Sequence, residues 1–350
     1  MLQLNRYASL CSLVTLVAAG MAGAAGCVME PDEVAVGIDG DELTAAQALL
    51  VERCAQAPAT GPARGWRRLR NNLVALQGPK HRGKDLMAAA SAGTQTLTGE
   101  ISYGLADKAL EGEEVEVFAC VAGAWRMVGG AVTNGNGAFS VALTGAKRLS
   151  PGARDMYVSV VGDRTGARFT ALVVPPAGLA TFVSDIDGTL TSSENAYTIA
   201  LATGGSVSAH PDAARALHAA VAKGYFPVYL TSRGDVFTGD TRAWLAARGL
   251  PFGLVRLADS AITLPGDATA AYKTEALRAF TAAGASFGLG FGNRASDVTA
   301  FRAAGVPGAR VLVKLPEYDS ELRGPIAAGN AKGFTNYADT LSTIAALPQP

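Results

Sequence analysis

Two rhythms of apolar and polar positions divide the chain. Between Thr94 and Pro175 there are short runs of alternating character: "GEISY", "EEVEVFACV", "AWRMVGGAV", "GAFSVAL", "MYVSVVG" and "ARFTALVV". Clusters rich in Gly, Asn and Asp, such as "TNGNGA" and "VGDRTGA", lie between them. Short runs with turn signals and no helical period predict a small antiparallel β-sandwich over residues 94–175. From Leu179 the rhythm changes. Strand-like runs ("TFVSDID", "FPVYLTS", "FGLVRL", "SFGLGFGN", "RVLVK") alternate with segments of helical period ("PDAARALHAAVAKG", "TRAWLAARG", "AYKTEALRAFTAAG", "ASDVTAFRAAG"). That order predicts an α/β domain over residues 179–345, a parallel sheet with helices on both faces. The stiff "VVPPAG", Val173 to Gly178, marks the boundary.

The N-terminal third is less regular. Arg6 followed by the apolar stretch Leu10–Ala19 and the small residues "GMAGAAGC" reads as an export signal over residues 1–27, too short for a comfortable membrane span. "AAGC", ending at Cys27, is similar to a bacterial lipobox, whose cysteine is acylated. An ordinary cleavage site near Ala24 or Gly26 is the other reading. Either way the expected location is outside the cytoplasm, in the periplasm or on the cell envelope as a lipoprotein. Residues 28–93 form a leader with helical potential from Leu43 to Ala57. A basic stretch follows, in which Arg64, Arg67, Arg68, Arg70, Lys80, Arg82 and Lys84 surround Trp66 without one acid. Such a stretch can meet anionic lipid headgroups or be a solvated helix face with its loop.

Composition narrows the function classes. The chain has 350 residues, 49% of them apolar, and a formal net charge of zero, so no global charge draws it to nucleic acid. Of four cysteines, Cys11 and Cys27 belong to the signal, leaving Cys54 and Cys120 as a disulfide or as two separate thiols. No Cys/His spacing suits a structural metal. His81, His210 and His218 suggest no second mechanism; His210, just before a helix, is expected to cap or pack.

The polar residues that stand out fall at predicted strand ends, where parallel sheets bind ligands. Asp185 and Asp187 close the first strand, Thr231 and Ser232 the second, and Asn293 a later one. Asp297 sits one turn into the next helix, and Lys273 is in the helix before that strand. Two carboxylates so close repel unless a cation lies between them. Mg²⁺ takes oxygen ligands, often one or two carboxylates with water and a substrate phosphate. Asp185 can then be ligand and nucleophile together, forming an aspartyl-phosphate. Asp187 is placed as the acid/base. Gly188 permits a sharp turn and brings backbone N–H groups towards a phosphate. Thr231, with Ser232 beside it, suits a phosphate oxygen, and Lys273 suits the charge of a phosphoryl group in transit.

"DIDGTLT", "VYLTSR", Lys273 and "GFGNRASDV" together resemble the four motifs of the haloacid dehalogenase (HAD) superfamily of phosphotransferases. The set "DIDGTLT … HPDAARALH … YLTSR … GFGNRASDVTAFRAAGVP" resembles, more closely, the LNS2 domain shared by lipin phosphatidate phosphatases and membrane-associated phosphatidylinositol transfer proteins. The likeness runs from about Phe182 to Pro316. It implies a HAD-like sheet without a cap, Mg²⁺ as cofactor, and Asp185, Asp187, Asn293 and Asp297 as the metal corner. Asn293 stands where many superfamily members carry an acid, which weakens the case for a direct ligand there. Arg233 and Arg294 neighbour the site as substrate contacts or as ion-pair partners. "HRGKD" with "ISYGLADKALEGEEVEVF" looks like the leader and β-domain ahead of some bacterial phosphatase domains of this kind.

About 45 residues separate the first two motifs and about 40 the second and third. Those intervals leave no room for a large lid. An open site suits a large or surface-presented substrate. The expectation is therefore a Mg²⁺-dependent phosphatase acting on a membrane-presented phosphomonoester such as phosphatidate. A non-catalytic phosphatidate-binding module and a phosphatase for another exported substrate are the alternatives. Nucleic acid is not an expected partner, and the oligomeric state is open.

Overall fold

The structure is a computed structural model describing residues 49–104, 106–196, 207–260 and 266–350. The export signal, the start of the leader helix and residues 197–206 lie outside the described residues. Those described belong to one compact unit, Leu43–Pro350.

The N-terminal half is the sandwich. Its strands are β1 (Val51–Glu52), β2 (Arg82–Gly83), β3 (Leu86–Ala89), β4 (Thr94–Glu100), β5 (Ser102–Tyr103), β6 (Lys108–Ala109), β7 (Glu114–Val121), β8 (Ala124–Val132), β9 (Ala138–Thr144), β10 (Gly152–Val160) and β11 (Gly166–Val174). One sheet runs β3-β11-β10-β7-β8 with β1 also on β10; β2-β4-β9 form a second. The core pairings are antiparallel, while β1 on β10 and β3 on β11 are parallel. Alternation works as expected: in β9, Phe139, Val141 and Leu143 point inward onto Leu97, Val117, Val158 and Phe169. Cys54 and Cys120 are joined in a disulfide.

The leader departs from expectation in two ways. Val51–Glu52 is strand, not helix, because its backbone pairs with Ala153 and Arg154. The sheets also begin before Thr94, taking β2 and β3 from the charged "HRGKD" region. These residues are buried because their charges find partners far along the chain. Arg82 meets Glu100, Asp107 and Asp235, and Asp85 meets Arg242.

The C-terminal half holds six parallel strands: β12 (Leu179–Ser184), β13 (Phe226–Gly234), β14 (Leu254–Ala258), β15 (Ala285–Gly292), β16 (Val311–Lys314) and β17 (Lys332–Phe334). Their order is β14-β13-β12-β15-β16-β17. After a short α1 (Asn71–Ala75) in the leader, the helices are α2 (Ala213–Ala222), α3 (Thr238–Ala247), α4 (Gly266–Ala282), α5 (Ala295–Ala303), α6 (Asp319–Ala327) and α7 (Leu341–Ala345). In α2 the buried residues Ala213, Ala216, Leu217 and Ala220 form the single apolar stripe of a sheet-packed helix. β12 is buried on both faces, as central parallel strands are. Strand order reverses beside β12: the chain winds outward to β14, then returns to β15 on β12's other edge. The crevice at that switch point is where a doubly wound sheet binds its ligand.

The two halves share a core. Ala153, Leu172 and Val174 of the sandwich pack with Leu254, Leu277 and Phe280 of the sheet-and-helix half. At this seam the buried Asp85 carboxylate accepts the Thr170 N–H at 2.6 Å, the Val255 N–H at 2.7 Å and the Arg242 guanidinium.

Candidate active site

β12 delivers Asp185 to the switch point, where its N–H continues the ladder to the Phe291 carbonyl at 2.9 Å. The chain then turns through Gly188 at φ +68°. A side chain there would collide with Asn293, since a Cβ would lie 2.1 Å from its Nδ2. Gly188 is therefore required both for its backbone angle and for the approach of β15's end. Its N–H is donated to Thr191 Oγ1 at 2.8 Å, so it closes the turn and does not point at a ligand.

α4 brings Lys273 in on its buried face, in register with Thr269, Ala276 and Phe280. The ammonium donates to Asp185 Oδ1 at 2.5 Å and to Asp297 Oδ1 at 2.6 Å. Burial alone would lower the Lys273 pKa; the Asp185 and Asp297 carboxylates outweigh it and raise it, so this side chain stays charged. Asp297 caps α5: its Oδ2 accepts the N–H groups of Asn293 and Arg294, each at 3.0 Å. Both its oxygens are thus occupied. It fixes Lys273 and the Asn293 turn.

Thr231 and Arg233 come from the end of β13. Thr231 donates to Asp187 Oδ2 at 3.1 Å. Arg233 grips the same carboxylate with Nε at 2.8 Å from Oδ2 and Nη2 at 2.5 Å from Oδ1. Its Nη1 donates to Thr241 Oγ1 of α3 at 3.2 Å. Ser232, between them, is half-buried. Asp187 is therefore gripped at both oxygens by a fork-shaped partner.

Asn293 is buried with its Nδ2 donating to Glu194 Oε2 at 2.8 Å. Its Oδ1 and Asp185 Oδ2 share the Thr189 hydroxyl, at 3.2 and 3.1 Å. Glu194 was not anticipated from the sequence, where it sits in a Ser-rich loop without a motif. Burial, foremost, with Asp187 and Asp297 nearby, pushes its pKa up to about 7. Burial likewise raises Asp185 well above the usual carboxylate range, against the pull of Lys273 and with the push of Asp297, Glu194 and Asp187.

Four carboxylates (Asp185, Asp187, Glu194, Asp297) thus meet two inward cations, Lys273 and Arg233. Arg294, at the outer edge, pairs with Glu321 at 3.0 Å, reaches Glu194 at 3.9 Å and stacks on Tyr318. Among the described residues, no group of three or more His, Cys, Asp or Glu side chains is arranged to hold a metal ion. The oxygen donors and the surplus negative charge are nevertheless of the kind that fits a hard dication.

Residues 182–313 match the family model described as "PITM 1-3, LNS2 domain". Residues 79–173 match "PITM 1-3, beta-sandwich domain". The chain carries an LNS2-type domain. Among curated proteins it is 26% identical over 270 residues to human membrane-associated phosphatidylinositol transfer protein 3, covering 75% of this chain and 26% of that protein. It is 30% identical over 210 residues to the human protein 2 of that name, 58% of this chain and 15% of that one. It is 29% identical over 189 residues to Drosophila melanogaster protein retinal degeneration B, 53% of this chain and 14% of that one. The chain therefore spans about a quarter or less of these relatives. Among solved structures it is similar to a class C acid phosphatase from Bacillus anthracis with tungstate bound (TM-score 0.31, 18% identity, 49% of this chain and 68% of that one). A putative HAD-like phosphatase from Mesorhizobium loti has TM-score 0.35 and 16% identity, over 58% of this chain and 98% of that one.

The LNS2-type half and the β-half meet at the site's edge. Asp235, just after β13, is bound by Arg82 Nε at 3.1 Å and faces Lys84 at 3.9 Å. Arg242 on α3, beside Thr241, is held by Asp85. The charges of "HRGKD" therefore brace the segment that carries Thr231 and Arg233. From the other side, Tyr337 of the C-terminal segment donates to the Thr189 carbonyl at 2.8 Å, beneath the turn after Asp187. His81 and His218 lie apart from the chemistry, while His210 is hydrogen-bonded to the Gly188 backbone in the turn after Asp187. His210 packs near Tyr337, His218 meets the Gly249 carbonyl at 2.9 Å, and buried His81 meets Thr165 Oγ1 at 2.8 Å.

Proposed function

We propose that the chain is a Mg²⁺-dependent phosphomonoester hydrolase of an exported, membrane-associated kind, acting on a lipid phosphate such as phosphatidate. The observation that carries this reading is the crowding of Asp185, Asp187, Glu194 and Asp297 at the switch point of the sheet, with fewer cations than carboxylates. A packing role does not account for that excess, whereas a dication does. Asp185, Asn293 and the main chain at Asp187 would hold Mg²⁺, whose part is to screen Asp185 from the incoming phosphate. Asp185 attacks phosphorus; the bond from its carboxylate oxygen forms as the ester bond to the leaving alcohol breaks. Asp187 gives the leaving oxygen its proton, then takes one from the water that hydrolyses the aspartyl-phosphate. Lys273, Thr231 and Ser232 steady the phosphoryl oxygens. Arg233 holds Asp187 in the resting state, and a phosphate dianion beside Thr231 competes for that guanidinium.

The short intervals between the motifs and the phosphatidylinositol transfer relatives support a lipid substrate, and the Cys54–Cys120 disulfide supports an oxidising location. The Arg233 clamp on Asp187 favours one second reading, a module that binds phosphatidate without cleaving it. Phosphate release from phosphatidate vesicles and from a soluble phosphomonoester, with and without Mg²⁺, separates these readings. Mg²⁺-dependent release that disappears in Asp185→Asn and Asp187→Asn supports the hydrolase. Vesicle binding with no release from either substrate establishes the second reading. Equal turnover of the soluble substrate removes the lipid preference.

A further inference from the structure

α1 is a short helix with two apolar faces, only one of which is covered. Hydrogen bonds from Asn71 to Arg68 and from Val74 to Arg70 make one helical coil across its start. Val74 and Ala75 pack on the sandwich core with Trp66, and Asn71 is buried against Glu113 at 2.6 Å. On the opposite side Leu69, Leu73 and Leu76 follow the i, i+4, i+7 spacing of one helix face. They are 86, 72 and 81% exposed, the most open large apolar side chains among the described residues. Exposed apolar patches of this kind mark interaction sites.

What surrounds the leucines is cationic. Arg64, Arg67, Arg68 and Arg70 are half or more open, apart from Arg68 at slightly less, and only Glu111 and Glu114 balance them at the surface. The third acid, Glu113, is buried beneath α1, accepting the N–H groups of Arg67 and Arg68. An apolar stripe rimmed by surplus arginine is the pattern of a helix that lies in the headgroup layer of an anionic bilayer. α1 is far too short to cross one. Its place in the fold fits the same partner. Four residues after Leu76, Lys80 binds Asp240 at the start of α3 at 3.3 Å, and Arg82 binds Asp235 just past β13. The segment that carries the leucines is therefore tied, through Lys80 and Arg82, to the end of β13 that carries Thr231 and Arg233.

We infer that Leu69, Leu73 and Leu76, with the arginines around them, form a docking surface for an anionic lipid bilayer, which sets the strand-end rim of the sheet against the membrane. The inference rests on the lipid reading of the active site and extends it with a surface outside the catalytic groups. The test uses residues 28–350, free of the apolar export signal and of Cys27, so that neither it nor an acyl group binds the vesicles, with an environment-sensitive fluorophore on Leu73→Cys. The same label on Met127→Cys, an exposed position of β8, is the control. Vesicles are phosphatidylcholine with phosphatidylglycerol, an anionic lipid that carries no phosphomonoester. The expected result is a blue shift at position 73, none at 127, and a much weaker shift on phosphatidylcholine alone.

Leu69→Gln, Leu73→Gln and Leu76→Gln combined should weaken vesicle partition roughly a hundredfold, since three buried leucines are at stake. Turnover of a soluble phosphomonoester should stay as in the parent. No shift at position 73, or unchanged partition of the triple variant, overturns the docking surface while soluble turnover still speaks for the hydrolase. A label that is already blue-shifted without vesicles, in a chain that sediments as a dimer, assigns the leucines to a second copy and also overturns it.

Discussion

Two buried aspartates frame what this protein does with charge. Asp85, at the seam between the halves, and Asp185, at the switch point, are both enclosed and both paired with a cation. At Asp85 the donors match the acceptors: two backbone N–H groups and Arg242 serve one carboxylate. At Asp185 one ammonium is shared with Asp297, and two further carboxylates, Glu194 and Asp187, press on it. Burial and ion pairing are common to both sites, so neither distinguishes structure from chemistry. The balance of charge does: the closed account at Asp85 holds two layers together, and the open one at Asp185 calls for a ligand.

The same substitution at both positions breaks or sharpens that contrast. Asp185→Asn should cost at least about a thousandfold in phosphate release, because no nucleophile remains. It should leave the thermal midpoint unchanged or slightly raised, because the repulsion from Asp297, Glu194 and Asp187 disappears with its charge. Asp85→Asn should do the reverse, losing about 3–5 kcal/mol in denaturant titration by stranding Arg242. If Asp185→Asn unfolds the chain and Asp85→Asn does not, the contrast is wrong.

A third prediction concerns His81, buried in the sandwich with its pKa lowered to about 4, mainly by desolvation. The folded state resists protonating it. Its stabilising contribution is therefore complete above the unfolded value near 6.5 and is lost as pH falls from there towards 4, amounting to about 3 kcal/mol. His81→Gln should flatten that part of the stability–pH curve while leaving the activity profile in place. The smallest expected effect is Thr241→Val, which removes the hydroxyl that accepts from Arg233. It should cost about 1 kcal/mol in stability and shift the activity–pH profile by loosening the hold on Asp187.

The candidate site was legible in the sequence because its polar residues are local to strand ends, and a parallel sheet gathers strand ends on one side. Asp185, Thr231 and Asn293 announce themselves by following apolar runs. Lys273 was legible only through the motif set, and the buried stripe of α4 carries it to Asp185 and Asp297. Glu194 and Tyr337 were not legible: each reaches the site from a segment with no period of its own. The leader misled for a related reason. "HRGKD" looks like solvated charge until Asp235 and Arg242, more than 150 positions later, are brought beside it. The disulfide was open for the same cause, since only the fold sets Cys54 and Cys120 within 5.8 Å between Cα atoms.

The shared core carries a practical consequence. Because Leu172 and Val174 are packed among Leu254, Leu277 and Phe280, the hinge-like "VVPPAG" is not a seam along which the halves come apart. A protease nicking that segment should leave a noncovalent pair, not two soluble fragments. The C-terminal half expressed alone from Leu179 would show a bare apolar flank and Arg242 without its carboxylate, and is expected to collect in inclusion bodies. Recombination within the family should accordingly exchange both halves together, which is how the two matched segments occur in this chain.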